Sequence, residues 1–260
     1  MPAFIRCLPL LLPLLAACRP ATPLAPVIAV EISTVAGQQP LQLGQAITTP
    51  AGETLQLKRL QYYLANPRLL RSDGQWVAPK RDPQSVDGYY LVDLAQPASA
   101  HLRLPPVPDG EYRGLELSVG VDADRNGSGA QTGALDPAHG LFWTWATGYI
   151  HFKLEGSSPA SPAADHAVTL HLGGNGLQRT VFLSFAGKPL KVAAGIQPIV
   201  HLHADLDAFL GGAEPLSFAR QPLVMQARDG LPLADRLGAL LRVDHIHHEP
   251  AGRPEPGLAP

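Results

Sequence analysis

Cysteine is almost absent from this chain of 260 residues, which contains only Cys7 and Cys18, both near the N-terminus. The rest of the sequence has no thiol for a disulfide or for a paired-cysteine zinc motif. Charged residues make up only 16% of the chain, and its net charge is −2. Because the basic residues also form no stripe along the sequence, a nucleic-acid partner is not expected. No nucleophile elbow, P-loop or dinucleotide fingerprint occurs, so we expect a binding protein and not an enzyme.

The chain also lacks a hydrophobic run long enough to span a membrane. Arg6 precedes an apolar segment, residues 8–15, that is short and proline-rich and is typical of a signal peptide. The segment ends in Leu-Ala-Ala-Cys, the form of a bacterial lipobox, which predicts cleavage before Cys18 and lipidation of its thiol. An ordinary small-residue cleavage site is the alternative. We therefore predict an exported lipoprotein, anchored only by its lipid, on the periplasmic side of the outer membrane.

This interpretation divides the chain into four parts. They are a signal peptide, residues 1–17, a proline-rich tether, residues 18–27, one domain, residues 28–249, and a disordered tail, residues 250–260.

Glycine and proline are plentiful, at 25 and 27 residues, and they separate short runs with the alternation of β-strands. The pattern predicts an all-β protein, a single antiparallel β-sandwich of about eight to ten strands. Ser72 to Gly74 should form a hairpin turn between Leu70 and Trp76. One or two short helices are expected near the C-terminus, over residues 204–212 and over an amphipathic segment, residues 233–243.

Ten histidines are the chemically most suggestive feature of the sequence. In a strand, His201 and His203 point to the face opposite Val200 and Leu202, and two imidazoles at this spacing can bind one metal ion. His171 precedes a glycine turn, and His245 and His247 share a side if their segment is extended. A single histidine is usually a solvated surface residue, but these placements together favour a metal site. Imidazole donors suit copper or zinc better than calcium or magnesium.

Two further motifs have competing interpretations. Residues 140–156 contain Trp143 and Trp145, which point the same way in a strand and suit a core, an aromatic ladder or a sugar platform. In the same stretch, alternation places His151 on the polar face, which favours a solvated side chain. Asp-Ala-Asp-Arg-Asn-Gly, residues 122–127, matches the opening of a calcium loop, although its twelfth position is a glycine. A polar turn is the plainer interpretation.

The stretch GVDADRNGSGAQTGALDPAHGLFWTWATGYIHFKLEG, followed by HLGG, resembles the MbnP-like family of exported bacterial copper proteins. LQLKRLQYYLANPRLLRSDGQW and GYYLVDL resemble earlier segments of that family. The resemblance runs from about Val30 to His247, and its most specific part is residues 120–156.

The resemblance implies an all-β copper-binding domain and a dihaem cytochrome c peroxidase-like partner that oxidises a tryptophan to kynurenine. Trp143 and Trp145 match the family's paired tryptophans, and either could be the modified residue. His171 matches a family position best, and His203 and His245 match less firmly. The predicted copper ligands are therefore His171, His203 and His245, with His201 and His247 as further candidates. One branch of the family carries four cysteines in this domain, and they have no counterpart here.

A calcium-dependent carbohydrate-binding module is the alternative function. It would use Asp122, Asp124 and Asn126 for calcium, and the two tryptophans to stack on sugars. A third interpretation is an adhesive or assembly lipoprotein whose aromatic residues all lie in the core.

Overall fold

The computed structural model describes residues 27–79, 85–144 and 147–251. The expected signal peptide, Cys18, most of the tether and nearly all of the tail lie outside these residues, and so does Trp145. Within the described residues, no helix has the length and apolar character needed to cross a membrane.

Extended segments dominate the described part of the chain. The strands are β1 (Ala29–Ala36), β2 (Gln39–Pro40), β3 (Ala46–Thr48), β4 (Thr54–Arg71), β5 (Trp76–Val77), β6 (Tyr89–Asp93), β7 (His101–Arg103), β8 (Gly110–Val119), β9 (Phe142–Thr144), β10 (Gly148–Ser157), β11 (Ala167–Gly173), β12 (Arg179–Ser184), β13 (Leu190–Val192), β14 (Ile196–Asp205), β15 (Leu223–Val224) and β16 (Leu241–Pro250).

The helical elements are short. They are α1 (Ala123–Gly127), α2 (Leu206–Leu210) and α3 (Ala227–Gly230), together with 3-10 turns at Pro97–Ala100, Gly133–Leu135, Pro137–His139, Ala164–His166 and Leu231–Ala239.

The strands form two sheets, which confirms the all-β sandwich-like fold. The smaller sheet has the order β16-β14-β1-β2, with β7 also paired to β1. The larger sheet has the order β12-β8-β4-β10-β11-β15, with β3, β5 and β6 on β4, β13 on β8 and β9 on β10. Two pairings differ from the expected antiparallel arrangement, because β1 runs parallel to β14 and β11 runs parallel to β15. The described strands also outnumber the expected eight to ten, since many have only two or three residues.

Local turn chemistry agrees with the sequence in two places. Leu70 pairs with Trp76 across the predicted hairpin, and Gly74 takes a positive φ of 92° in its turn. Residues 206–210 form the first predicted helix, capped at its start by the Asp205 side chain.

The second predicted helix is wrong in conformation and length. Residues 231–239 are a 3-10 segment, and strand β16 begins at Leu241. The predicted apolar side is nevertheless buried, through Leu233, Leu237 and Leu240. The period of the leucines therefore identified the buried face, whereas pairing with β14 determined the backbone after residue 240.

Apolar side chains from both sheets form one large core. Val200, Leu202 and Ala204 of β14 enter it from the smaller sheet, and Leu60 and Leu117 enter it from the larger sheet. Burying such side chains contributes about 1.5–3 kcal/mol each, which is the main stabilisation available to a described region without cysteine.

A second apolar cluster covers part of the larger sheet where a solvated surface was expected. It contains Tyr63 and Tyr149 from neighbouring parts of the sheet and Leu135 and Leu141 from the connection between β8 and β9. The rings of Tyr63 and Tyr149 meet edge to face, with centroids 5.9 Å apart. Strand β10 is consequently buried along both sides.

Gly148 allows this second cluster to close over the start of β10. Its φ is +72°, and a Cβ at this position would lie 2.3 Å from Oδ1 of Asn126. The same oxygen accepts a hydrogen bond of 2.7 Å from the Tyr149 backbone N–H. Glycine is therefore needed for both the backbone conformation and the space.

We predict that Gly148→Ala lowers the free energy of unfolding by about 2–3 kcal/mol, because backbone strain and steric overlap act together. Gly187→Ala is the matched control, since Gly187 has a φ of +79° but open space around its Cβ position. It should lose only about 1 kcal/mol. Urea unfolding of both variants measures the difference, and equal losses would show that Asn126 does not restrict this position.

Candidate metal centre

The candidate centre lies on the outer face of the smaller sheet, where β14 runs between β1 and β16. Strand alternation sends Val200 and Leu202 into the core, with exposed fractions of 0% and 1%. His201 and His203 point to the other face and are partly exposed. The sequence predicted this division, and pairing with two neighbouring strands holds it in place.

Strand β16 adds two further imidazoles to this face. His245 is opposite His201, and His247 is opposite Ile199. Between the pairs His201–His245 and Leu202–Val243, β16 contains one additional residue, Asp244, which forms a β-bulge. The bulge brings Asp244 and His245 to the same exposed side, although adjacent residues of a regular strand point to opposite sides.

The three imidazoles of His201, His245 and His247 form a cluster, which we call the histidine triad. The ring centroid of His201 is 4.1 Å from that of His245 and 5.0 Å from that of His247, and the centroids of His245 and His247 are 5.7 Å apart. The rings are nearly parallel. One potential donor nitrogen from each ring can be chosen so that all three lie within 4.8 Å of one another. Among the described residues, no other group of three or more metal-ligating side chains meets this condition.

Three imidazole nitrogens are suitable ligands for a copper or zinc ion. Their present separation is slightly too large for all three to bind one ion without a small rotation of the rings. Nε2 of His201 is buried and has no hydrogen-bond partner among the described residues, so no described protein group competes with a metal ion for this nitrogen. Nitrogens about 2.1 Å from one ion are at most about 4.2 Å apart. The imidazoles must therefore turn away from their nearly parallel orientation for all three to bind one ion.

Electrostatics favour the neutral form of His201 that a metal requires. Burial lowers its pKa, and the neighbouring His245 and His247 lower it further, while Glu31 opposes these effects. The hydrogen bond from His245 lowers the pKa of Asp244, so the carboxylate beside the triad remains ionised at neutral pH.

His203 lies on the same face but outside the histidine triad. Its Nε2 is 3.8 Å from Oδ2 of Asp244, and its Nδ1 is buried without a hydrogen-bond partner among the described residues. On β16 it is opposite Arg242 and not another histidine. It is therefore a neighbour of the triad through Asp244.

His171 lies in the larger sheet and not with the triad. It is on β11 opposite Lys153 of β10, and its Nε2 is 2.9 Å from Oε1 of Glu155. Burial lowers the pKa of His171, with the contact to Glu155 acting in the opposite direction. The predicted ligands His171, His203 and His245 thus do not form one cluster, whereas the two further candidates, His201 and His247, join His245.

The prediction that His151 is solvated is wrong. Its side chain is fully buried beneath the second apolar cluster. The Val121 backbone N–H donates to Nδ1 at 3.2 Å, and Nε2 lies 2.8 Å from the Gly174 carbonyl oxygen, which fixes the proton on Nε2. Alternation within β10 gave no indication of burial, because residues distant in sequence cover its polar face.

The two tryptophans differ in what the structure shows. Trp143, on β9, is partly buried and packs against the second apolar cluster together with Phe142. Phe142 also contacts Tyr149, with ring centroids 4.9 Å apart. This arrangement agrees with a core role for Trp143, and Trp145 lies outside the described residues.

The candidate calcium loop has a structural role instead. Asp122 caps helix α1 through the Arg125 backbone N–H and accepts hydrogen bonds from Asn66 and from the Tyr89 hydroxyl. Asn126 is buried, accepts from the Tyr149 backbone N–H and donates to Asn175. Two of the three expected calcium ligands are therefore occupied within the protein, which supports the polar-turn interpretation.

Comparison with known proteins gives the family. The model of the MbnP family matches residues 26–226, and the chain therefore belongs to this family. The match starts close to Val30, where the resemblance was expected to begin, and ends before His245 and His247. The solved structure of MbnP from Methylosinus trichosporium aligns over 87% of this chain and 99% of that chain, with 15% sequence identity and a TM-score of 0.45. A search of curated proteins gives no match.

The buried His151 should make stability depend on pH. Burial lowers its pKa from 6.5 to about 4, so the unfolded chain binds one more proton between these pH values. The stabilisation is complete above pH 6.5 and is lost as the pH falls towards 4, by about 3 kcal/mol in total.

Urea unfolding at a series of pH values measures this effect. The slope of stability against pH between 4 and 6.5 should become shallower in His151→Gln, by about the amount expected for one proton. His101→Gln, at an exposed position, should leave the slope unchanged. An unaltered slope in His151→Gln would contradict the buried neutral histidine.

Proposed function

We propose that the protein binds copper through the histidine triad and serves copper handling outside the cytoplasm. The observation that carries the proposal is the convergence of three imidazoles, one of which has a buried Nε2 without a hydrogen-bond partner among the described residues. Membership of the MbnP family supports the copper-related role, because the sequence resembles exported copper proteins.

The position of the triad suits reversible binding more than a permanent structural ion. The side chains of His245 and His247 are 55% and 37% exposed, so one side of the site is open to solvent. A structural ion is normally enclosed by four protein ligands, whereas an open position permits exchange with water or with another donor. The chain would thus act as a binding protein without turnover.

The remaining parts of the proposal rest on the sequence resemblance. The protein would be anchored by lipid at Cys18, on the periplasmic side of the outer membrane. A dihaem cytochrome c peroxidase-like partner would oxidise Trp143 or Trp145 to kynurenine, with net gain of one oxygen and loss of one carbon from the residue. Of these two residues, Trp143 is partly exposed.

Copper affinity of single variants tests the ligand set. His201→Ala, His245→Ala and His247→Ala should each weaken copper binding by at least about 100-fold, beyond the loss typical of groups that only support a ligand. His171→Ala is the control, because His171 is also an imidazole beside a carboxylate but lies buried in the other sheet. Competition with a chelator of known affinity provides the measurement.

Retention of copper by all three triad variants would overturn the proposal. Loss of copper binding in His171→Ala alone would show that the copper site lies in the larger sheet. Thermal unfolding with and without copper provides a second readout, since a ligand that prefers the native state raises the melting temperature.

Peptide mapping of the protein from its native host tests the modification separately. Kynurenine at Trp143 or Trp145 would support a peroxidase partner. Two unmodified indoles would refute the modification and leave the copper proposal resting on the histidine triad.

A further inference from the structure

Each ring of the histidine triad has a carboxylate beside one of its two nitrogens. Nδ1 of His245 is 2.9 Å from Oδ2 of Asp244, a hydrogen-bond distance, and Nδ1 of His201 is 3.5 Å from Oε2 of Glu31. The ionised carboxylates can only accept, so both contacts favour a proton on Nδ1. The opposite nitrogen, Nε2, then keeps a free lone pair in both rings.

The two contacts come from different parts of the chain. Asp244 is the extra residue of the bulge in β16, and the bulge is what places it on the same side as the neighbouring His245. Glu31 is on β1, directly across from His201 on β14. In His201 the nitrogen away from Glu31 is the buried Nε2 that lacks a hydrogen-bond partner. The carboxylate and the free nitrogen thus lie on opposite edges of the ring.

The third ring has the opposite orientation. Nε2 of His247 is 3.6 Å from Oε1 of Glu249, which lies two residues further along the same strand. This contact favours a proton on Nε2 and leaves Nδ1 of His247 free. The three acidic groups also place negative charge around a site intended for a cation.

We propose that Asp244 is a positioning residue that holds His245 with its proton on Nδ1 and so presents Nε2 to copper, and that Glu31 does the same for His201. The proposal rests on the copper-binding function proposed above. Metal-binding histidines commonly donate their second ring N–H to a carboxylate, which fixes the tautomer and increases the basicity of the ligand. Here that partner is supplied by a single inserted residue in β16.

Asp244 also lies close to His203. Oδ2 of Asp244 lies 2.9 Å from His245 and 3.8 Å from Nε2 of His203. The same oxygen therefore faces a triad histidine and a histidine outside the triad. We assign His203 to the surroundings of Asp244, and its replacement should weaken copper binding less than replacement of His245.

The tautomer of His245 in the metal-free protein is the direct test. Long-range proton–nitrogen NMR correlations should show the proton on Nδ1 in the wild type. In Asp244→Ala the population should shift towards the Nε2-protonated form, since the acceptor for Nδ1–H is gone. Asp244→Asn keeps a carbonyl oxygen in place and should retain more of the wild-type tautomer.

Copper affinity provides the second readout on the same variants. Asp244→Ala should weaken binding by about 10–100-fold, with a smaller loss in Asp244→Asn. Asp235→Ala is the control, because Asp235 is an exposed carboxylate paired with Arg179 in another part of the chain. Thermal unfolding of the metal-free variants shows whether the substitutions leave the stability of the fold unchanged.

The outcomes separate the positioning role from the copper site itself. A wild-type His245 that carries its proton on Nε2 would overturn the inference, as would an Asp244→Ala variant with unchanged tautomer and affinity. If that variant is unchanged while the triad variants lose copper, only the positioning role fails. If the triad variants keep copper, the proposed site fails as well.

Discussion

Strand β14 is the element on which the rest of the smaller sheet depends. It pairs along its length with β1 on one side and β16 on the other, and its alternate residues are divided between the core and the outer face. Burial of Val200, Leu202 and Ala204 leaves no freedom in the direction of His201 and His203, because a one-residue shift would move the apolar side chains into water. The hydrophobic effect thus positions imidazoles that it does not itself bury.

The bulge at Asp244 modifies this regular arrangement at one point. It shifts the register of β16 by one residue and allows a carboxylate and an imidazole to occupy adjacent positions on the same face. Without this shift, Asp244 would point away from His245, and the triad would lack its shortest carboxylate contact. A local irregularity of the sheet and the electrostatics of the candidate centre therefore have one structural origin.

Much of the fold could be predicted from the sequence, because alternation and turn residues are local signals. The hairpin at Ser72–Gly74, the outward direction of His201 and the shared side of His245 and His247 all follow from spacing. The pairing of β14 with β16 could not be predicted, since it joins segments about 45 residues apart and includes a bulge without a sequence signature. For the same reason, spacing alone could not separate His171 from the other histidines or show that His201 meets both His245 and His247.

His151 shows a different limit of sequence reasoning. The strand around it alternates in the manner of a half-exposed strand, but a second apolar cluster that includes Leu135 and Leu141 covers its polar side. Long connections that fold back over a sheet give no periodic signal. The nearby glycines were the available indication, since a Cβ at Gly120 would lie 2.8 Å from the His151 ring, which shows how closely the backbone approaches it.

The proposed copper site lies on the outer face of the smaller sheet. Anomalous diffraction at the copper absorption edge, from crystals of the copper-loaded protein, tests it most directly. We expect a single strong peak among His201, His245 and His247, in contact with Nε2 of His201 and His245. A peak beside His171 and Glu155 in the larger sheet, or beside Trp143, would contradict it.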